Sequence, residues 1–545
     1  MHSFKNKNHN NKTVVGFNTG HNSGCAIIHD GKIVSISEER LDRKKNSDGY
    51  IKSLFYCLKA LKINVSDVDL FVSSSYHKRL PDNFMGDLVS LGFKKEKFIT
   101  VDHHLSHAYS SYFLSPFKKS LVVVIDGLGN ENDTESYYVA DNKKITKVGG
   151  NNSKRSIYQG IGRAYESFTN YCGWSAQEAG KTMGLAAYGK DAGKGINLFE
   201  ISENCEINSK LSGNYYHGAV NFAKNNNLNF GRPFSGFNNK DAAFYIQDQI
   251  EKIIIELINR LYSKYKIDNL CLAGGVFLNG IVNKKILDET PIKNIFIPPC
   301  CDDTGQPLGN ALYGYINKFG NPKDIHLKHA YLGREYKDAE IIDVIEKKQE
   351  IYPLPYEVKS KNFGYKKYKD ITKPVAKLLN EGNIVGWFQG SSEIGPRALG
   401  HRSILTKPNP AKMKDILNEK IKHREMFRPF APIILDEYKS DYFEINTESP
   451  YMLLVAKSKQ SQIKNISAVL HFDKTGRLQT VKKTNGKIYN LLKEYKNISG
   501  LPVLLNTSFN DSGEPIVESP RDAMVMFAKN KIDYLVLNDY LIWKK

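Results

Sequence analysis

The stretch from Asp241 to Gly275 constrains the fold most. A long amphipathic pattern, Asp241–Tyr265, leads into a short apolar strand, Leu270–Leu272, which runs straight into Gly274-Gly275. A helix-period pattern that feeds a buried-type strand and then a glycine turn belongs to an α/β architecture. Similar elements lie upstream. Val14–Asn18 and Cys25–His29 are apolar runs, and Asp30-Gly31 joins the second to Lys32–Ser37 as a hairpin signal. Ile51–Leu61 reads as a helix and Leu70–Ser74 as a strand. Leu121–Asp126, LVVVID, reads as a buried strand that ends in a carboxylate and then Gly127.

The chain has 545 residues, more than one core usually serves, so at least two domains are expected. Around Asn317–Lys328 the text turns polar, with Gly and Pro, and marks a boundary between 1–327 and 328–545. The second block carries a helix over Asp338–Lys348 and strands at Ile384–Phe388, Tyr451–Ala456, Leu501–Leu505 and Tyr534–Leu541. Asn225–Asn239 reads as a loop, and no internal repeat is visible. No run approaches the ~20 apolar residues of a membrane span, and the polar start MHSFKNKNHNNK lacks a signal-peptide core. Seven scattered cysteines without a CxxC pair fit a reducing cytoplasm, and the vicinal pair Cys300–Cys301 reads as structural. The net charge of +19 fits either a solvated Lys- and Asn-rich surface or attraction to phosphorylated substrates or nucleic acid.

Val101–Phe113 reads VDHHLSHAYSSYF. On a helix, His103 and His107 share a face, where two imidazoles can hold one divalent metal, while His104 points elsewhere. HxxxH alone is weak, because helical histidines are more often surface or core residues. Asp126, at the end of LVVVID, and Asp303, in DDTGQPLG, both fall at strand–turn edges, where ligands gather in open α/β sheets. Two His and two Asp form a mixed N/O set suited to iron, manganese or zinc.

LCLAGGVFLN, Leu270–Asn279, lets a backbone approach phosphate or ribose at a helix start, although close packing alone can require such glycines. KTMGLAAYG, Lys181–Gly189, adds a lysine beside a second glycine turn, and neither segment is a Walker A loop or a GxGxxG fingerprint. In the second block, QGSSEIGPRALGHR and KHREMFRPFAP bring Arg397, Arg402, Lys422, Arg424 and Arg428 into turns marked by Gly and Pro. Arginine forks bind phosphate and carboxylate oxygens bidentately, so anion binding is favoured over surface ion pairs. HFDKTGRLQTV and LNTSFNDSGEP add amides and hydroxyls at loops, Asn506 among them.

In order along the chain, GHNSGCA, EERLDRKK, HHLSHA, IDGLG, GKTMGLAAYG, AGGVFLN, DTGQPLG, GPRALGHRS, REMFRPFAP and LLNTSFN resemble the NodU/CmcH carbamoyltransferase family. The tobramycin, cephalosporin and nodulation-factor O-carbamoyltransferases belong to it. The resemblance runs from about Val14 to Leu541. It implies an N-terminal domain of the actin/sugar-kinase class, similar to the tRNA threonylcarbamoyl transferases, and a YrdC-like α/β C-terminal domain. It implies that the second domain makes carbamoyl-adenylate from carbamoyl phosphate and ATP, with Mg2+. The first domain would then pass carbamoyl to a hydroxyl of a small molecule or glycan.

By the same resemblance His103, His107, Asp126 and Asp303 are expected as metal ligands, with Fe2+ as the metal and Mn2+ or Zn2+ as alternatives. His21 is expected near the acceptor as general base. Lys181, Gly274, Gly275, Asn279 and Gly305 are expected at the nucleotide. Arg397, Arg402, Lys422, Arg424, Arg428 and Asn506 are expected at carbamoyl phosphate and ATP. Where the family often has HD, this chain has His21-Asn22. Where it has Gly before the last metal Asp, this chain has Asp302, so the ligand choice lies between Asp302 and Asp303. The alternative acceptor is a nucleic-acid base or nucleotide, and the assembly, with a homodimer among the options, is left open. The acceptor pocket is expected along Lys45–Tyr50, Ser75–Met85 and Tyr215–Asn239, where no motif names a substrate.

Overall fold

A computed structural model describes residues 12–74, 86, 88–142, 144–152, 159–193, 195–212, 217–320, 325–346 and 363–545. The first sheet is built from β1 (Thr13–Asn18), β2 (Gly24–His29), β3 (Lys32–Ser37), β4 (Leu70–Ser74) and β5 (Phe98–Val101). Its order is β3-β2-β1-β4-β5: an antiparallel meander over β1–β3, then β4 and β5 parallel to β1. The hairpin turns at Asp30 and Gly31 with φ of 49° and 78°, the left-handed pair that a two-residue turn needs. The segment Ser75–Met85, expected at the acceptor pocket, lies outside the described residues.

The second sheet repeats this plan. It holds β6 (Lys119–Ile125), β7 (Asp133–Asp141), β8 (Lys144–Asn152), β11 (Asn269–Ala273) and β12 (Asn294–Phe296). Its order, β12-β11-β6-β7-β8, again places an antiparallel meander beside two parallel strands. A small pair, β9 (Phe199–Ile201) and β10 (Ile207–Ser209), lies between β8 and β11 in the chain. A structural repeat is therefore present where none was legible in the sequence. Burial pattern and direction repeat, but those can be met by unrelated apolar residues.

The repeat exchanges its last helices. His103–Tyr112 follows β5 yet packs on β6, β7 and β11, while Gln306–Phe319 follows β12 yet packs on β1, β2 and β4. The two helices meet where a Cβ on Gly309 would stand 2.1 Å from the Ser106 carbonyl oxygen, so only glycine permits the approach. Ala108, Leu308, Leu312, Val122, Val124, Val14 and Val72 share one core between the sheets. Two repeated sheets with exchanged helices form the actin/sugar-kinase architecture.

The C-terminal half forms a nine-stranded sheet from β13 (Phe363–Lys367), β14 (Val385–Phe388), β15 (Arg402–Thr406), β16 (Ala431–Leu435), β17 (Leu454–Lys457), β18 (Thr475–Val481), β19 (Val503–Ser508), β20 (Tyr534–Leu537) and β21 (Tyr540–Lys544). The order is β13-β21-β20-β14-β15-β19-β16-β18-β17, with cores on both faces. Three local expectations change. Tyr534–Leu541 is a hairpin rather than one strand, turning at Asn538 with φ 51°. The strand expected from Tyr451 starts at Leu454, because Met452 takes a left-handed φ of 58°. Lys181 and Gly184 lie inside a helix, Ala179–Ala186, and not at a glycine turn. The helix expected over Asp338–Lys348 covers Asp338–Glu346 among the described residues.

Among the described residues no helix is long and apolar enough to cross a membrane. All seven cysteines are free thiols in buried positions.

Candidate metal centre and anion pocket

Asp102 starts the ligand helix. Its carboxylate accepts from the Leu105 amide at 2.8 Å, and Asn130 Oδ1 accepts from the His103 amide at 2.7 Å. Helical geometry then sets His103 and His107 one above the other on a buried face. Asp126 is the first residue beyond β6, with its amide donating to the Thr134 carbonyl at 3.0 Å. Asp303 opens the tight turn Asp303–Gly305 that leads into Gln306–Phe319. Three segments, the helix after β5 and the turns after β6 and β12, thus converge at the ends of the strands.

His103 Nε2 lies 3.1 Å from Asp126 Oδ2 and 3.3 Å from Asp303 Oδ1, and His107 Nε2 lies 3.3 Å from each of the same oxygens. The four ligand atoms fall within 4.8 Å of one another. Burial works against a charged His103 ring, yet Asp303 and Asp126 outweigh it and hold its pKa up at about 10. Burial likewise opposes ionisation of Asp126, but His103 and His107 keep its carboxyl well below the usual range. The cluster therefore demands positive charge at its centre. Two imidazole nitrogens and two carboxylate oxygens fit a first-row divalent cation.

The neighbours divide the roles. Asp302 turns away, accepts from Thr304 Oγ1, and is pushed up to about 6 chiefly by burial, so Asp303 is the carboxylate in the cluster. His104 points to Ser136 Oγ at 2.8 Å. His21 Nε2 lies 3.2 Å from Asp303 Oδ2 on a half-exposed ring, at the open side of the cluster.

Two of the residues expected at the nucleotide, Gly274 and Gly275, shape this cluster. Gly274 has φ 97°, and a Cβ there would stand 2.1 Å from the Ile125 carbonyl oxygen. The Gly275 amide donates to Asp126 Oδ1 at 3.0 Å. Asn279 caps Gly280–Glu289, accepting from Ile281 and Val282, and pairs with Gln247 at 2.8 Å. Gly305 packs on the Cys300 carbonyl. Lys181 stands apart, bridging Glu178 at 2.7 Å and Glu425 of the C-terminal half at 2.5 Å.

The cations of the C-terminal half separate into two groups. Arg402 is fully buried at the start of β15, the central strand of the sheet. Its guanidinium donates to the carbonyls of Gln389, Gly390 and Glu518 at 2.6, 3.0 and 3.3 Å and stacks on Phe388, which makes it a brace. Lys422 is also spent internally, on Ser508 and Asn510 oxygens at 2.6 to 3.2 Å. Arg397, Arg424, Arg428 and Arg477 from β18 form the second group, in which Arg424 also has internal partners, donating from Nε to Asn418 Oδ1 at 2.8 Å and from Nη2 to the Pro429 carbonyl at 3.2 Å. Burial, then Arg397, Arg424 and Arg428, drive the Arg477 pKa well down, and burial with Arg428 lowers Arg424 to about 9. The buried Nε atoms of Arg397 and Arg477 have no hydrogen-bond partner, nor has Asn506 Oδ1 close by in β19. Such a group of cations can take an anion.

Two family descriptions match: the carbamoyltransferase N-terminus over residues 75–312 and the carbamoyltransferase C-terminus over 376–544. The nodulation protein NolNO of Sinorhizobium fredii is 31% identical, over 96% of this chain and 79% of its own. The chain belongs to the carbamoyltransferase family. The 3'-hydroxymethylcephem-O-carbamoyltransferase of Amycolatopsis lactamdurans is 26% identical, over 96% of this chain and 98% of its own. Among solved structures, HypF of T. kodakarensis aligns at a TM-score of 0.37 and 12% identity, over 58% of this chain and 49% of that one.

This carbamoyltransferase is a transferase enzyme, and direct hydrogen bonds fasten its halves together. Tyr56 donates to Glu518 at 2.5 Å, and Asn283 donates to the Leu453 carbonyl at 2.8 Å. Arg477 was within the segment HFDKTGRLQTV, but its neighbours in sequence carry no other arginine. Its place on β18, between β16 and β17 in the sheet, brings it beside the rest.

Proposed function

We propose that this carbamoyltransferase forms carbamoyl-adenylate from carbamoyl phosphate and ATP in a YrdC-like C-terminal domain, residues 328–545. It then transfers the carbamoyl group to an acceptor hydroxyl in the N-terminal domain, residues 1–327. The observation that carries the reading is the adjacency of the two sites: the loop of Arg397 packs on the segment that leads into Asp303, where a Cβ on Gly395 would stand 2.1 Å from the Pro299 carbonyl oxygen, and Asp303 belongs to the His/Asp cluster. An intermediate made at the arginines has a short way to travel.

In the first step Arg397, Arg424, Arg428 and Arg477 hold the phosphate oxygens while water cleaves carbamoyl phosphate to carbamate and phosphate. The carbamate oxygen then attacks the α-phosphorus of ATP, and pyrophosphate leaves. Asn506, with its free Oδ1, is suited to accept from the carbamoyl amide. In the second step the acceptor oxygen attacks the carbamoyl carbon, its proton passes to His21 Nε2, and AMP leaves. His103, His107, Asp126 and Asp303 would hold a divalent cation, Fe2+ first, which supplies Lewis-acid charge beside the phosphate. The acceptor is a hydroxyl of a small molecule or sugar, as the name of the cephem relative suggests.

The test is to incubate the protein with metal, ATP and carbamoyl phosphate and follow pyrophosphate and AMP. Pyrophosphate from both co-substrates together, and from neither alone, is expected. No pyrophosphate across a range of metals and acceptors would sink the proposal.

A further inference from the structure

Residues 391–402, which carry Arg397, form the loop of the C-terminal half that packs on the segment leading into Asp303. Glu393 folds this loop on itself. Its Oε1 accepts from the amides of Leu399 at 2.6 Å, Arg402 at 3.2 Å and His401 at 3.4 Å. Burial opposes its charge, yet Arg40, His401 and Arg402 keep the carboxyl below its usual range.

The chain between the halves is stitched to both of them. Ser35 of β3 donates its amide to the Leu332 carbonyl at 3.0 Å. On the other side Gly333 donates to the Ser392 carbonyl at 3.0 Å, and Ile394 donates to the Ala330 carbonyl at 2.8 Å. Only glycine permits this approach, because a Cβ on Gly333 would stand 2.1 Å from Ser392 Oγ. Tyr56, on the helix Ile51–Leu61, joins three pieces at one atom. Its hydroxyl accepts from the Arg334 amide at 2.8 Å and donates to Glu518 Oε1 at 2.5 Å. Arg40, from the turn after β3, donates to the Gly395 carbonyl at 2.9 Å.

Stability alone does not explain this junction. Arg40, Glu393, Arg402 and Glu518 are each at most 2% exposed. Among the described residues, Arg40 Nη1, Glu393 Oε2 and Glu518 Oε2 make no hydrogen bond. Apolar residues of similar volume often hold such a junction equally well or better. What buried polar groups supply is one register, since sliding either half would strand them without partners.

We propose that Arg40 and Tyr56 of the N-terminal half lock the 391–402 loop and Glu518 in one register against the metal centre, and that this register retains carbamoyl-adenylate between its formation and its transfer. These are positioning residues. The lock presupposes the two-step reaction and concerns the fate of its intermediate. An adenylate that escapes is attacked by water at the carbamoyl carbon and lost as carbamate and AMP.

The experiment gives full-length, metal-loaded protein ATP and carbon-labelled carbamoyl phosphate, without acceptor. Pyrophosphate is counted, and the label still held by the protein is measured after rapid filtration. The wild type should hold label. Tyr56→Phe and Arg40→Met should lose it roughly tenfold faster or more, the worth of one hydrogen bond to a charged group. Tyr56→Phe should leave metal content and both KM values unchanged, because the hydroxyl touches neither the ligands nor the arginines. A wild type that releases no pyrophosphate sinks the two-step reaction itself. If the wild type releases pyrophosphate but loses label as fast as the variants, the lock fails and the two-step reaction stands. A merely weakened fold would lower pyrophosphate and melting temperature together, with the label held per pyrophosphate unchanged, and that result also overturns the lock. Should Arg40→Met not fold, Tyr56→Phe decides alone.

Discussion

The Gly275 amide donates to Oδ1 of Asp126 at 3.0 Å, and this leaves Oδ2 turned toward both His103 and His107. A backbone group thus orients a carboxylate that two side chains from another segment must share. Outer contacts of this kind commonly set metal affinity as strongly as the ligands themselves.

Gly275→Ala tests that link. A Cβ there would stand 3.2 Å from Asp126 Oδ1, close enough to displace it by a few tenths of an ångström. Metal affinity should fall about tenfold, read by competition with a chelating dye, while the melting temperature of the metal-free protein moves little. Gly274→Ala should instead destabilise the fold by about 1–3 kcal/mol or more, since its φ of 97° is strained for any side chain.

His107→Ala separates the two proposed steps. Bound metal and carbamoyl transfer should be lost, whereas pyrophosphate release should persist. Measuring metal by mass spectrometry and both products in one series checks this, and equal loss of both steps would contradict the division of labour.

His21→Ala should slow transfer by about 10²–10⁴-fold and leave metal content intact, because the ring touches the cluster only from its open side. Transfer at the wild-type rate would remove His21 from the reaction.

Arg477→Met should show a trade-off. Burial and three neighbouring arginines all oppose the charge of Arg477, so its removal should raise the melting temperature of the ligand-free protein. Affinity for ATP or carbamoyl phosphate should fall together with that gain. A variant that is merely less stable, with unchanged affinity, would assign Arg477 to structure alone.

Glu135 gives a pH dependence. Burial lifts its carboxyl from 4.5 to about 7, although Thr134 and the Ile161 amide bond to it. The unfolded chain releases this proton near pH 4.5 while the folded chain keeps it to about 7, so stability falls as pH rises across that window. The loss should be about 3 kcal/mol, seen in melts at pH 5 and pH 7.5. Glu135→Gln should flatten the difference.

Local structure was legible because it depends on neighbours in sequence. The Asp30-Gly31 hairpin, the helix Ile51–Leu61 and the strand ending at Asp126 follow from turn chemistry and apolar period. Helical spacing set His103 and His107 on one face, and the ordered motifs tied Asp126 and Asp303 to them. Tyr534–Leu541 misled because a hairpin of two apolar strands reads like one long strand. Lys181 misled because glycines in a helix look like turn glycines when only composition is visible.

By itself, then, the sequence determined the elements, the family and the four residues that the fold gathers into one cluster. Tertiary structure alone decided which cations are available. Arg397 and Arg402 share one motif, but Arg402 is spent on carbonyls while Arg397 keeps a free Nε in the pocket. It also revealed the repeated sheets and the exchange of helices that sets His107 3.3 Å from Asp303. The reason is that hydrogen-bond partners, close approach and mutual repulsion between groups far apart in the chain depend on three-dimensional packing, which has no period to read.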